Sequence, residues 1–196
     1  MNRWLRVLDL SVEFKISLVT LVFVLIVLPH SAALGQEKVE NSYFSVKVPD
    51  SWTYLGGAVN QVVATPGEFG NILVYDDEDD TSLFDKVSDG GAVAKFMQDT
   101  DYNLKNSPLE VYVKYIIDQE GNNWNLSSMD NGTIGKQKAV KISEIGTNES
   151  ANLRRAQYLV LDDEGPYILQ YVASVKDYDK YLPEFEQMVR SFRFVG

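Results

Sequence analysis

Asp76, Asp77, Glu78, Asp79 and Asp80 set five carboxylates in an unbroken row with no cation among them. Carboxylate oxygens are what Ca2+ and Mg2+ take as ligands. This run is therefore the candidate metal site, and Ca2+ is the one cofactor the sequence suggests. It is not an EF-hand loop, because Thr81 stands where that pattern needs glycine. A solvated acidic loop accounts for the same residues, since blocks of like charge repel one another and stay in water. A second acidic cluster, Asp162-Asp163-Glu164-Gly165, is explained by hairpin chemistry, with Asp and Gly at turn positions. Asp and Glu are abundant enough to supply a carboxylate-pair hydrolase, but no spacing singles out a pair.

Other chemistries are excluded by residue type. The sole histidine is His30, and there is no cysteine. From Gln36 onward the chain therefore has no Ser-His-Asp triad, no thiolate nucleophile and no imidazole or thiolate metal site. No P-loop, GxGxxG, GxSxG, HExxH or SxxK pattern occurs there, and the expectation is a non-enzyme. Asn125-Leu-Ser, Asn131-Gly-Thr and Asn148-Glu-Ser are three glycan-acceptor sequons, read as loop or turn positions. Trp52, Tyr54, Trp124, Tyr158, Tyr167 and Tyr171 could line an apolar pocket, although their strand spacing also suits a core.

The elements that must position these residues follow from periodicity. Tyr43 to Val48 alternates as a strand, and Pro49-Asp50-Ser51 stops it. Trp52 and Tyr54 continue at strand spacing. Gln61–Ala64 and Asn71–Tyr75 read as strands separated by Pro66-Gly67. A polar loop follows, with a helical turn over Ala92–Met97. Ser107-Pro108-Leu109-Glu110 is a capping box that starts a helix running to about Gln119. Asn122–Gly132 reads as a polar loop closing on the turn pair Asn131-Gly132. Lys136–Ile145, Leu153–Leu161 and Tyr167–Val175 are long strands, the last two joined by the acidic turn. Asp177–Ser191 is a final amphipathic helix with Pro183 expected in its first turn, and Phe192-Arg193-Phe194 a terminal edge strand. Consecutive hairpins with two helices give the α+β class: an antiparallel β-sheet sandwiched by helices.

Ahead of all this lies Ile16–Leu28, a run of 13 residues broken only by Ser17 and Thr20. Arg3, Arg6 and Lys15 precede it, and Ala33-Leu34-Gly35 fits a small-x-small cleavage pattern. Residues 1–35 are thus expected to be a signal peptide or, uncleaved, an N-terminal membrane anchor. Residues 36–196 would then be a single extracytoplasmic domain, secreted or held on the outer face of the membrane. The chain has 18 basic and 28 acidic residues; three basic and two acidic ones precede Gln36, leaving 15 against 26, a net charge of −11. Such a surface repels phosphate backbones, so nucleic acid is not an expected partner.

Two stretches carry a family resemblance. Tyr43-Phe-Ser-Val-Lys-Val-Pro-Asp-Ser-Trp52 is a strand ending in Pro-x-x-Trp, and Gly165–Phe194 joins an aromatic strand, a short acidic link and a helix ending in Ser-Phe. Together they resemble the PsbP-like domain, named for an extrinsic protein of the photosystem II oxygen-evolving complex. The resemblance implies a PsbP-like α/β/α sandwich and a non-catalytic accessory role outside the membrane, docked to a membrane-associated or envelope protein complex. It brings no site residues, since the metal-associated histidines of photosynthetic members have no counterpart after Gln36. Two further readings remain beside it: a small-ligand or Ca2+-binding envelope module, and a carboxylate-dependent hydrolase.

Overall fold

Asp162 accepts a hydrogen bond from the Glu164 amide at 2.8 Å, and Gly165 takes φ +139°, which favours glycine. This tight turn joins two strands paired over ten positions without a register shift and sets their register, Asp162 opposite Gly165 through to Leu153 opposite Ser174. The computed structural model describes residues 35–67, 87, 90–102, 107–119, 123–147 and 151–195, all within one compact unit, Gly35–Gly196.

The strands are β1 (Gln36–Glu40), β2 (Phe44–Pro49), β3 (Trp52–Gly56), β4 (Gln61–Pro66), β5 (Ala92–Gln98), β6 (Trp124–Ile134), β7 (Gln137–Gly146), β8 (Leu153–Asp162), β9 (Gly165–Ser174) and β10 (Arg193–Phe194). The helices that lie wholly within the described residues are α1 (Leu109–Gln119) and α2 (Tyr178–Ser191). Seven strands form one antiparallel sheet in the order β3-β4-β5-β9-β8-β7-β6, and three form a second in the order β1-β2-β10.

Alternation assigns the two faces of the large sheet. Val62, Ala64, Ala94, Phe96, Ala156, Val160, Tyr167, Leu169 and Tyr171 point to one side, where α2 and the small sheet cover them. Val140, Ile142 and Leu159 point to the other, beneath Tyr112, Val113 and Ile116 of α1. The first side is an aromatic core. Tyr171 stacks on Phe185 at 5.2 Å and Phe44 on Phe192 at 5.0 Å. Each fully buried aromatic is worth about 1.5–3 kcal/mol, with about 0.5–1.5 more for such ring pairs. That burial holds the domain together in a chain without cysteine.

Local anchors fix the helices. The Pro108 carbonyl accepts the Val111 amide at 3.0 Å at the start of α1. Buried Asp99 gathers the amides of Asp101 and Tyr102 on one oxygen and the Tyr112 hydroxyl, at 3.0 Å, on the other. Burial first, then Asp99, push the Tyr112 hydroxyl well above its ordinary pKa. Asp177, just before α2, accepts the Gly91 amide at 2.8 Å and the Ser174 hydroxyl at 2.9 Å. These two bonds hold its carboxyl below the usual range.

Three expectations are corrected. Ala92–Met97 is not a helical turn but most of β5, a central strand. Its helix-forming Ala, Lys and Met yield to pairing with β4 and β9. The loop expected over Asn122–Gly132 is overturned from Trp124 onward, and Asn122 lies outside the described residues. From Trp124 the segment is β6, paired with β7, and the turn falls at Gly135-Lys136, where Gly135 has φ +59°. Pro183 lies past the first turn of α2, where its ring denies the Asp179 carbonyl the usual i+4 donor. The strand expected at Asn71–Tyr75 and the segment 1–34 lie outside the described residues.

Candidate functional site

Charged groups inside the sheet come together through register. Glu144 on β7 stands opposite Arg155 on β8. The guanidinium donates from Nε at 2.8 Å to Glu144 Oε2, with NH2 at 2.7 Å from the same oxygen; Gln157 Nε2 reaches it at 3.2 Å. The Arg155 guanidinium also lies 4.1 Å from the centre of the Trp124 ring, a cation–π contact that ties β6 to the sheet. Burial raises the Glu144 carboxyl and lowers the Arg155 guanidinium. All three polar side chains are buried, so the cluster has no open face for a substrate. Its chemistry is structural.

β6 is one edge of the large sheet, and it differs from the other edges. β1 carries three charges in five residues, β10 has two residues, and β3 has five with an irregularity after Tyr54. β6 runs for eleven residues with Asp130 as its one charge, and every residue from Asn125 to Thr133 is exposed. A bulge falls between Leu126 and Ser128, but Ser128 to Ile134 pairs in register. Leu126 and Met129 stay 52% and 46% exposed. Met129 pairs with Ile142 and shares its face; Asp130 pairs with Lys141 on the other. The outer backbone groups of such a strand are a template for another strand.

At the end of β6 an open cleft of about 460 Å³ lies between the β6–β7 turn and α2, lined by Thr133, Ile134, Gly135, Tyr158, Glu186, Val189, Arg190 and Arg193. Its apolar part is Ile134 and Val189, both buried. Lys141 donates to Glu186 Oε1 at 2.5 Å, and the Tyr158 hydroxyl lies 3.4 Å from that oxygen. Burial draws the Lys141 ammonium down, but Glu186 and Tyr158 outweigh it and hold it above its ordinary value. Burial raises the Tyr158 hydroxyl. Arg193 NH1 donates to the carbonyls of Arg190 and Phe192 at the end of α2, and Arg190 stands 4.0 Å from Glu186.

Most of the sequence-derived site residues are dispersed. Asp76–Asp80 and Asn148 lie outside the described residues. Asn125 and Asn131 are exposed, but on β6 rather than in loops. Of the six aromatics, Trp52, Tyr167 and Tyr171 are core, Trp124 partners Arg155, Tyr54 is exposed, and Tyr158 alone lines the cleft. Among the described residues, two carboxylates are raised by burial, Glu144 and Asp162. The first is held by a guanidinium and the second by turn amides. Neither lines the cleft, whose one carboxylate is Glu186. Lys141, Glu144, Arg155, Glu186, Arg190 and Arg193 were not singled out from sequence. A signal existed for two of them: Glu144 is in phase with Val140 and Ile142, and Arg155 with Leu153 and Leu159.

The chain matches no known family model and no curated protein sequence. Solved structures share its architecture. PA94 from Pseudomonas aeruginosa, a protein of unknown function, is similar with a TM-score of 0.51 at 12% identity, over 80% of this chain and 94% of that one. Cyanobacterial PsbP (CyanoP) from Synechocystis sp. PCC 6803 is similar with a TM-score of 0.50 at 9% identity, over 83% and 94%. Likeness at such identities establishes fold alone. The chain has the PsbP-like fold, as its Pro-x-x-Trp strand and C-terminal helix led us to expect.

Proposed function

We propose that this protein is an exported, non-catalytic accessory domain of the PsbP-like type that docks to a membrane-associated or envelope protein complex. The observation that carries the reading is the open edge of β6, long, weakly charged and bearing exposed Leu126 and Met129. Docking is by strand addition: an extended segment of the partner supplies backbone hydrogen bonds, and Met129 on one face and Asp130 on the other select its side chains. Two such edges on copies of this chain would bring together bodies of net charge −11 and two Asp130 carboxylates, which favours a different partner with basic residues. The apolar Ile16–Leu28 run supports export, with the N-terminal segment either removed or kept as the anchor on the outer face.

The test compares captured envelope proteins. Wild-type chain and a Tyr54→Lys variant, altered on the opposite edge, are expected to retain the same partner. Met129→Lys, a charge of the kind that guards natural edges, is expected to lose it. Equal recovery by all three would sink the docking edge.

A further inference from the structure

We infer that the cleft between the β6–β7 turn and α2 is a binding site for a carboxylate carried on a short apolar chain. Its volume of about 460 Å³ falls within the roughly 300–1,000 Å³ of small-ligand sites. Its chemistry is two-sided. The half-buried ring of Tyr158, with the small exposed edges of Ile134 and Val189, gives a narrow apolar floor, while Arg190 and Arg193 stand at the α2 side and Thr133 brings a hydroxyl.

Charge narrows the ligand. In a body of net charge −11, this cleft has two arginines against one carboxylate, and that carboxylate is already engaged by Lys141. A cation is therefore unfavoured. The Arg193 fork uses one nitrogen on the carbonyls that end α2, and Arg190 makes only a 4.0 Å approach to Glu186. A planar monoanion fits the guanidinium forks that remain. Glu186 and the negative end of α2 act against any anion, and against a phosphate dianion about twice as strongly as against a carboxylate. The apolar floor asks for a chain of several carbons behind the carboxylate, such as a fatty acid or the C-terminus of a peptide ending in an aliphatic residue. The cleft shares Thr133 and Ile134 with the docking strand, but its argument does not use the open edge of that strand.

The test is an amide-shift titration of the isotope-labelled protein, purified from its own source, with hexanoate, hexanol, hexylammonium and acetyl-Ala-Leu as its free acid and its amide. Saturable shifts at Thr133, Ile134, Gly135 and Val189 are expected from hexanoate or the peptide acid in the millimolar range. Whichever acid saturates first identifies the source of the carboxylate. Hexanol, hexylammonium and the peptide amide are expected to be at least several-fold weaker. Arg190→Gln is expected to weaken the acid several-fold while leaving the rest of the amide spectrum in place. No saturable shift from either acid, equal shifts from hexanol, or an unchanged titration in Arg190→Gln would each overturn the inference.

Discussion

Asp177 accepts two hydrogen bonds just ahead of α2, and the sign of its effect can be worked out. Its carboxyl is held below the ordinary range by the Gly91 amide and the Ser174 hydroxyl. The native state thus favours the charged form. That contribution is present above the unfolded carboxylate value of about 3.9 and is lost as pH falls through the lower native value. Asp177→Asn is expected to be less stable than wild type at pH 7 and to approach it progressively as pH falls below about 3.9, measured as urea midpoints. A constant difference would remove Asp177 from the acid limb. Glu144 and Arg155 behave differently, because both are buried. Glu144→Ala takes the paired carboxylate away from a buried guanidinium, which keeps its Trp124 ring contact, and is expected to cost up to about 3–5 kcal/mol. The Glu144→Met, Arg155→Met double variant is expected to recover most of that loss, since an apolar pair of similar volume needs no desolvation. A double-mutant cycle in chemical denaturation reads both values.

At the scale of elements, α2 carries a proline beyond its first turn. Pro183 is exposed, so Pro183→Ala restores an amide donor to the Asp179 carbonyl without disturbing the core. It is expected to raise stability by about 1 kcal/mol or more. β6 poses a choice between two uses. Asn125 shares a face with Ile145 and Asn131 with Val140, so glycans there would stand on the docking edge itself. If the edge docks, intact mass of the native protein is expected to show no hexose on Asn125 or Asn131; full occupancy of either would count against docking.

Legibility also divides by element. β8, β9, α1 and α2 were readable because periodicity and turn residues agreed with the final pairing. The Asp162–Gly165 turn is the plainest case. The sequences of β5 and β6 mislead for opposite reasons. β5 is rich in small helix-compatible residues because Ala92 and Ala94 pack beneath the aromatic layer. β6 is polar because as an edge strand it buries almost nothing, so it shows no alternation. The cleft and the buried ion pair join positions from 11 to 60 residues apart through register and helix packing, which no local pattern encodes. The two charges in phase with the buried faces of β7 and β8 were the one local trace.

On the scale of the whole molecule, net charge sets a background. A body of −11 repels itself, and that repulsion is screened over about 10 Å at 0.1 M salt. The denaturation midpoint is expected to rise between 10 mM and 150 mM sodium chloride; a fall would mean that exposed attractive pairs such as Arg154–Asp179 and Lys114–Asp118 dominate over the repulsion. If β6 docks as proposed, the same acidity favours a basic partner over self-association.

The central claim is that β6 is where this domain meets its partner. Its most direct test places a photo-crosslinking residue at Met129, and separately at Tyr54 on the opposite edge, in the chain expressed in its own source. The account predicts a discrete adduct with one envelope protein from position 129 and none from position 54. No adduct from position 129, or the same adduct from both, would contradict it.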